Sequence, residues 1–117
     1  MQVGLDARDD AAILTPPTDQ LLVQTVDFFR SFIDDPYLFG RIAANHALGD
    51  IYAMGGQPAS ALAIATVPHA AEDKMEEDLF QILRGGLDVL EEAGAALVGG
   101  HSAEGAELGL GFTINGR

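Results

Sequence analysis

Apolar positions along this 117-residue chain follow two different periods. Between Glu72 and Ala93 the residues Met75, Leu79, Ile82, Leu83, Gly86, Leu90 and Ala93 recur at steps of three and four. That spacing lines one face of a helix. Glu76, Glu77, Asp78, Gln81, Arg84, Asp88, Glu91 and Glu92 form its solvated side, with Lys74–Asp78 and Arg84–Asp88 as i, i+4 pairs. From Glu107 to Asn115 the period drops to two. Leu108, Leu110, Phe112 and Ile114 point one way, and Glu107, Gly109, Gly111, Thr113 and Asn115 the other, as in a strand with one packed face.

A second helix is expected from Pro36 to Gly55. Asp34 or Asp35 can cap it, Pro36 suits its first turn, and Gly55-Gly56 followed by Pro58 ends it. Leu38, Ile42 and the small residues around Ala47 supply the expected packing face. Ala11–Leu14 and Gln20–Phe29 read as strands joined through the turn-forming PPTD segment, a hairpin. Val3–Asp10 reads as a loop. Ala59–Val67 reads as a strand buried on both faces, and Ala95–Val98 as a short buried strand opening into a Gly99-Gly100-His101-Ser102 loop. The expected order is β-β-α-β-α-β-β in a single α+β domain, a mixed sheet with helices on one face.

The charge balance narrows the function. Eighteen acids face six bases, and the net charge of −12 disfavours nucleic acid or an anionic membrane as a partner. No apolar run is long enough to span a bilayer, and the N-terminus lacks the pattern of a secretory signal. The absence of cysteine excludes disulfides and thiolate zinc sites within these residues and makes a reduced cytoplasm the default location. A phosphate-bearing ligand stays compatible with so acidic a chain if divalent cations bridge its phosphates to carboxylates, a role that suits magnesium.

Three acidic clusters are candidates for that role: Arg8-Asp9-Asp10, Asp27 at the end of a strand, and Asp50 near the end of the first helix. Taken alone, Asp9 and Asp10 read as turn formers, and Asp27 is open to either reading. Asp50 stands on an apolar helix, where a carboxylate is costly unless a cation or donors meet it. His46 shares its helix face at i, i+4, with Asn45 and Gly49 on the adjacent one. Gly100, His101 and Ser102 could bring backbone N–H groups and a hydroxyl to an anion, although a plain turn explains them more simply. His46, His69 and His101 show no metal-ligand spacing. No P-loop or dinucleotide fingerprint is present, and nothing resembling a nucleophile elbow supports a triad on Ser102.

The segments RDDAAIL, QTVDFF, DDPYLFGRIAANHALGDIYAMGGQP and GGHS, in this order, resemble the N-terminal domain of selenophosphate synthetase (selenide, water dikinase). That family belongs with the aminoimidazole ribonucleotide synthetase-like ATP-binding proteins. The resemblance implies an enzyme that converts ATP, selenide and water into selenophosphate, AMP and phosphate. It implies Mg2+ held by Asp10 and Asp50, and nucleotide contacts from Ala7, Arg8, Asp9, Asp27, Asp50, Gly100, His101 and Ser102. It further implies a homodimer whose N-terminal domains pair their sheets, with nucleotide near the interface. The family's glycine-rich catalytic segment and its C-terminal domain have no counterpart in these residues, so the fragment is expected not to turn over alone. Gly49 stands where a serine is usual and His46 where a small residue is common. A thiamine-monophosphate kinase or hydrogenase-maturation type of ATP-dependent enzyme is one alternative. A non-catalytic dimerisation homologue is another.

Overall fold

The structure is a computed structural model and describes residues 11–16 and 18–117. Ala7, Arg8, Asp9, Asp10 and the Val3–Asp10 loop therefore lie outside the described residues. The elements are β1 (Val23–Arg30), α1 (Pro36–Ala53), β2 (Pro58–Pro68), α2 (Glu72–Glu92), β3 (Ala96–Gly105) and β4 (Gly109–Gly116). The sheet runs in the order β1-β4-β2-β3. β4 is antiparallel to both β1 and β2, while β2 and β3 are parallel and joined through α2. Both helices cover the same face. Phe39, Ile51, Ile82, Leu90, Leu110, Phe112 and Ile114 form the dry layer between them and the sheet. The mixed α+β architecture is the one expected.

Four details differ from the sequence reading, each for a physical reason. Ala11–Leu14 forms no strand, so the expected hairpin is absent. Instead Ala12, Leu14, Thr15 and Pro16 line a cleft together with Leu22, Gln24 and Leu62. Four apolar residues running into proline supply too few ladder hydrogen bonds to hold a strand. On α1 the buried residues are Phe39, Gly40, Ala43, Ala44, Ala47, Leu48 and Ile51, whereas Leu38 is 46% exposed. The packing face is thus turned by one residue, because α1 meets α2 through small side chains rather than through its bulkiest ones. Asp78 is buried, not solvated. It stands two turns before Gly85, on the side of α2 that meets α1, and the Lys74 ammonium reaches it at 2.7 Å.

The fourth difference concerns the sheet. β2 buries Ala61, Ala63, Ala65 and Val67 beneath the helices but leaves Ile64 45% exposed on the other face. The Gly99–Ser102 segment is not a loop: β3 continues through it to Gly105, pairing Gly99 to Ser102 with Leu62 to Ala65. A bulge at the Ala61/Leu62 step skips Val98. A Cβ on Gly100 would lie 2.2 Å from the Ala63 carbonyl oxygen, so glycine here serves close strand approach.

The helix ends follow their local chemistry. Asp35 accepts a hydrogen bond from the Leu38 N–H at 3.2 Å, with Pro36 in the first turn. At the other end Gly55 adopts φ +75°, and the Gly55 and Gly56 N–H groups bond the Tyr52 and Ile51 carbonyls.

Polar contacts tie the outer edges of the two helices. The Tyr37 hydroxyl donates to Asp88 at 2.5 Å, Arg84 Nε donates to the same carboxylate at 2.8 Å, and Arg41 bonds Glu92 at 3.1 Å. The Tyr37 hydroxyl first, and Arg84 second, hold the Asp88 carboxyl below its ordinary range. A carboxylate with a depressed folded value contributes stability that is complete above its unfolded value and lost as pH falls through the folded one. Tyr37→Phe is therefore expected to move acid unfolding, followed by circular dichroism, to higher pH. Coincident acid transitions for the two proteins would contradict this role.

Candidate functional site

The edge strand β1 presents Val23, Thr25, Asp27 and Phe29 to the helix layer, where α1 half-covers them. Alternate strand residues rise about 6.7 Å, and helix residues four apart rise about 6 Å. Two side chains from each element can therefore meet in register. Thr25 Oγ1 donates to Asp50 Oδ2 at 3.2 Å, and His46 Nδ1 lies 3.3 Å from Asp27 Oδ2. The Phe29 ring meets the His46 imidazole edge-on, with centroids 4.8 Å apart at 71°. Asp27 and Asp50 thus stand on neighbouring rungs at one open edge of the domain.

This placement revises one argument from sequence. Asp50 is exposed, because it stands on the outward side of α1 while Ala47, Leu48 and Ile51 beside it are buried in the core. Its significance lies in its neighbours and not in a desolvation cost. Gly49 and Asn45 are exposed beside it, and a Cβ at Gly49 would meet nothing within 4 Å.

Gly100, His101 and Ser102 lie elsewhere. Asp27 pairs with Phe112, Phe112 with Ala63, and Ala63 with Gly100, so one cross-strand row carries Asp27 and Gly100 at opposite sheet edges. Three strand spacings separate them, about 14 Å, with the helix-covered core between. The Gly99–Ser102 edge lines a cleft of about 370 Å³ whose other wall is Phe80, Leu83, Arg84 and Leu87 of α2.

Thr25 and Phe80 were not singled out from sequence. Thr25 shares the strand parity of Asp27, which was a usable signal. Phe80 and Leu87 are seven apart, a second short apolar stripe hidden beside the dominant one. Among the described residues no three His, Cys, Asp or Glu side chains converge to hold a metal, and no helix is long and apolar enough to cross a membrane.

The family description "AIR synthase related protein, N-terminal domain" matches residues 8–117. The chain is 51% identical over 114 residues to a selenide, water dikinase of Nitratidesulfovibrio vulgaris and 46% identical to one of Clostridioides difficile, covering 97% of this chain in each case. It spans only 32% of the length of each. Among solved structures it is similar to a thiamine-monophosphate kinase from Stenotrophomonas maltophilia, with a TM-score of 0.78 and 29% identity over 92% of this chain and 34% of that one. A hydrogenase maturation protein HypE solved in complex with ATP shares the fold, with a TM-score of 0.76 and 19% identity over 97% of this chain and 34% of that one. Sequence, sheet order and helix layer agree: the chain belongs to the AIR synthase related family, as an N-terminal domain.

Proposed function

We propose that this chain is the ATP- and magnesium-binding domain of a selenophosphate synthetase, a cytoplasmic enzyme forming selenophosphate, AMP and phosphate from ATP, selenide and water. The observation that carries the reading is the Asp27–Asp50 edge, where a strand and a helix set two carboxylates on adjacent rungs. The names of relatives at about 50% identity support the substrate.

The donor set suits magnesium, which takes one or two carboxylates plus substrate phosphates and keeps several waters. Asp50 is exposed and engaged by a neutral hydroxyl, which leaves oxygen lone pairs for a cation. In this reading Asp50 and Asp10 hold Mg2+. Ala7, Arg8, Asp9, Asp27, Asp50 and the Gly100–Ser102 strand contact the nucleotide. Bound there, magnesium supplies neutralisation of charge on the transferring phosphoryl group. The chain's own side chains bind and orient: Thr25 holds Asp50, and β1 fixes where Asp27 stands.

One nucleotide cannot bridge the roughly 14 Å between the two sheet edges through a packed helix layer. Pairing of two chains resolves this. The uncovered sheet face carries Val26, Phe28 and Ile64 at 67%, 47% and 45% exposure, an apolar surface suited to self-association. A two-fold axis along the strands sets the β1 edge of one chain against the β3 edge of its partner. We therefore include a homodimer in the proposal. Ile64→Glu is expected to convert a sedimenting dimer to a monomer, and a monomeric wild type would sink the pairing.

The similarity to thiamine-monophosphate kinase supports a second reading, another ATP-dependent enzyme of the superfamily. Both readings share the nucleotide site. Calorimetric titration with a non-hydrolysable ATP analogue tests that site: binding is expected with Mg2+ and not with chelator. Equal affinity in both conditions would refute it.

A further inference from the structure

We propose that His46 is a positioning residue that orients the Asp27 carboxylate toward the nucleotide, an inference that rests on the nucleotide reading of this edge. Among the described residues His46 is the hydrogen-bond partner of the Asp27 side chain, at 3.3 Å from Nδ1 to Oδ2. The imidazole is itself held. Phe29, two residues along the same strand face, meets it edge-on at 4.8 Å. Its backbone is set by the buried Ala43, Ala44 and Ala47 around it on α1. An aspartate on an edge strand would otherwise turn freely about χ1 and χ2. Anchoring Oδ2 fixes the direction of Oδ1 as well, and such restraint of a binding group raises affinity by removing rotamer freedom that the ligand must otherwise quench.

The chemistry of imidazole suits the place. A lysine or arginine here would carry a permanent charge, neutralise Asp27 and repel a magnesium ion at the adjacent Asp50. An imidazole donating from Nδ1 directs the carboxylate without an obligatory charge. Stability does not account for the contact. The His46 side chain is 62% exposed, and exposed pairs of this kind add little to folding. What the arrangement secures is direction.

The test is a calorimetric cycle with the magnesium complex of a non-hydrolysable ATP analogue, using wild type, His46→Ala, His46→Asn, His46→Gln, Asp27→Asn and the double variant His46→Ala/Asp27→Asn. Asparagine carries Nδ2 the same number of bonds from Cα as histidine carries Nδ1, so it can donate from the same position; glutamine cannot. His46→Ala and His46→Gln are expected to weaken binding about three- to tenfold, the range for loss of one ordinary hydrogen bond at a solvent-exposed site. His46→Asn is expected to stay within about twofold of wild type. In the Asp27→Asn background His46→Ala should change nothing further. Nitrogen-15 spectra should show protonated Nδ1 in wild type and its signal displaced in Asp27→Asn, while urea midpoints for the His46 variants match wild type. Full affinity in His46→Ala, or equal loss with and without the Asp27 carboxylate, overturns the positioning role. A wild type that binds no nucleotide overturns the reading of the site itself, a distinct result.

Discussion

Gly85→Ala is expected to destabilise the domain by about 3 kcal/mol or more, although alanine in a helix ordinarily stabilises by about 1 kcal/mol over glycine. A Cβ at Gly85 would lie 2.0 Å from the Tyr37 carbonyl oxygen and 3.1 Å from the Arg41 nitrogen. On the facing helix a Cβ at Gly40 would lie 2.1 Å from the Ile82 carbonyl oxygen. The obstacles are backbone atoms, so no rotamer change relieves the clash and the helices must separate. Separation opens the layer over Phe112, whose ring also touches Gly86. Against a total stability of about 5–15 kcal/mol for a domain, that loss is large. Gly49→Ala, on α1 but facing open space, is the control and should gain about 0.5–1 kcal/mol. Urea unfolding measures both. A Gly85→Ala midpoint at or above wild type would refute backbone contact between α1 and α2.

Asp50→Asn is expected to weaken magnesium-dependent nucleotide binding by about 100-fold, since even neighbours of metal ligands cost about 10- to 100-fold when removed. Asparagine keeps the shape and can still accept from Thr25, so the edge should stay folded. It loses the charge that holds a hard cation. The residual affinity should depend far less on magnesium, since only Asp10 of the proposed pair remains. Undiminished, magnesium-dependent binding by Asp50→Asn would remove this residue from the metal site.

Much of this fold was legible because period and caps agree. The stripe from Met75 to Ala93 and the alternation from Leu108 to Ile114 each bury the face they announce, since one side of each meets the core. Asp35 and Gly55 marked the ends of α1 through local chemistry alone. The misreadings arose where a neighbour decides. The face of α1 is set by the approach of α2, which favours Gly40 and Ala43 over Leu38 and Ile42. The Gly99–Gly100 pair suggested a loop, but parallel pairing with β2 also selects glycine.

The site was legible in part. Spacing put His46 and Asp50 on one helix face, and the structure turns that face toward β1. It could not reveal that Thr25 and Asp27 would oppose them, because strand-to-helix register depends on where β1 pairs with β4. Nor could it separate Gly100–Ser102 from Asp27, because strand order is absent from linear spacing.

If the magnesium–nucleotide complex sits at the Asp27–Asp50 edge, a paramagnetic ion will report it there. Mn2+ can replace Mg2+ in the presence of a non-hydrolysable ATP analogue while amide signals are followed by NMR. The amides of Thr25 to Asp27 and of His46 to Asp50 are expected to broaden first and most, with the nucleotide strengthening the effect. Those amides remaining sharp while saturating Mn2+ and nucleotide broaden another part of the domain would contradict that placement.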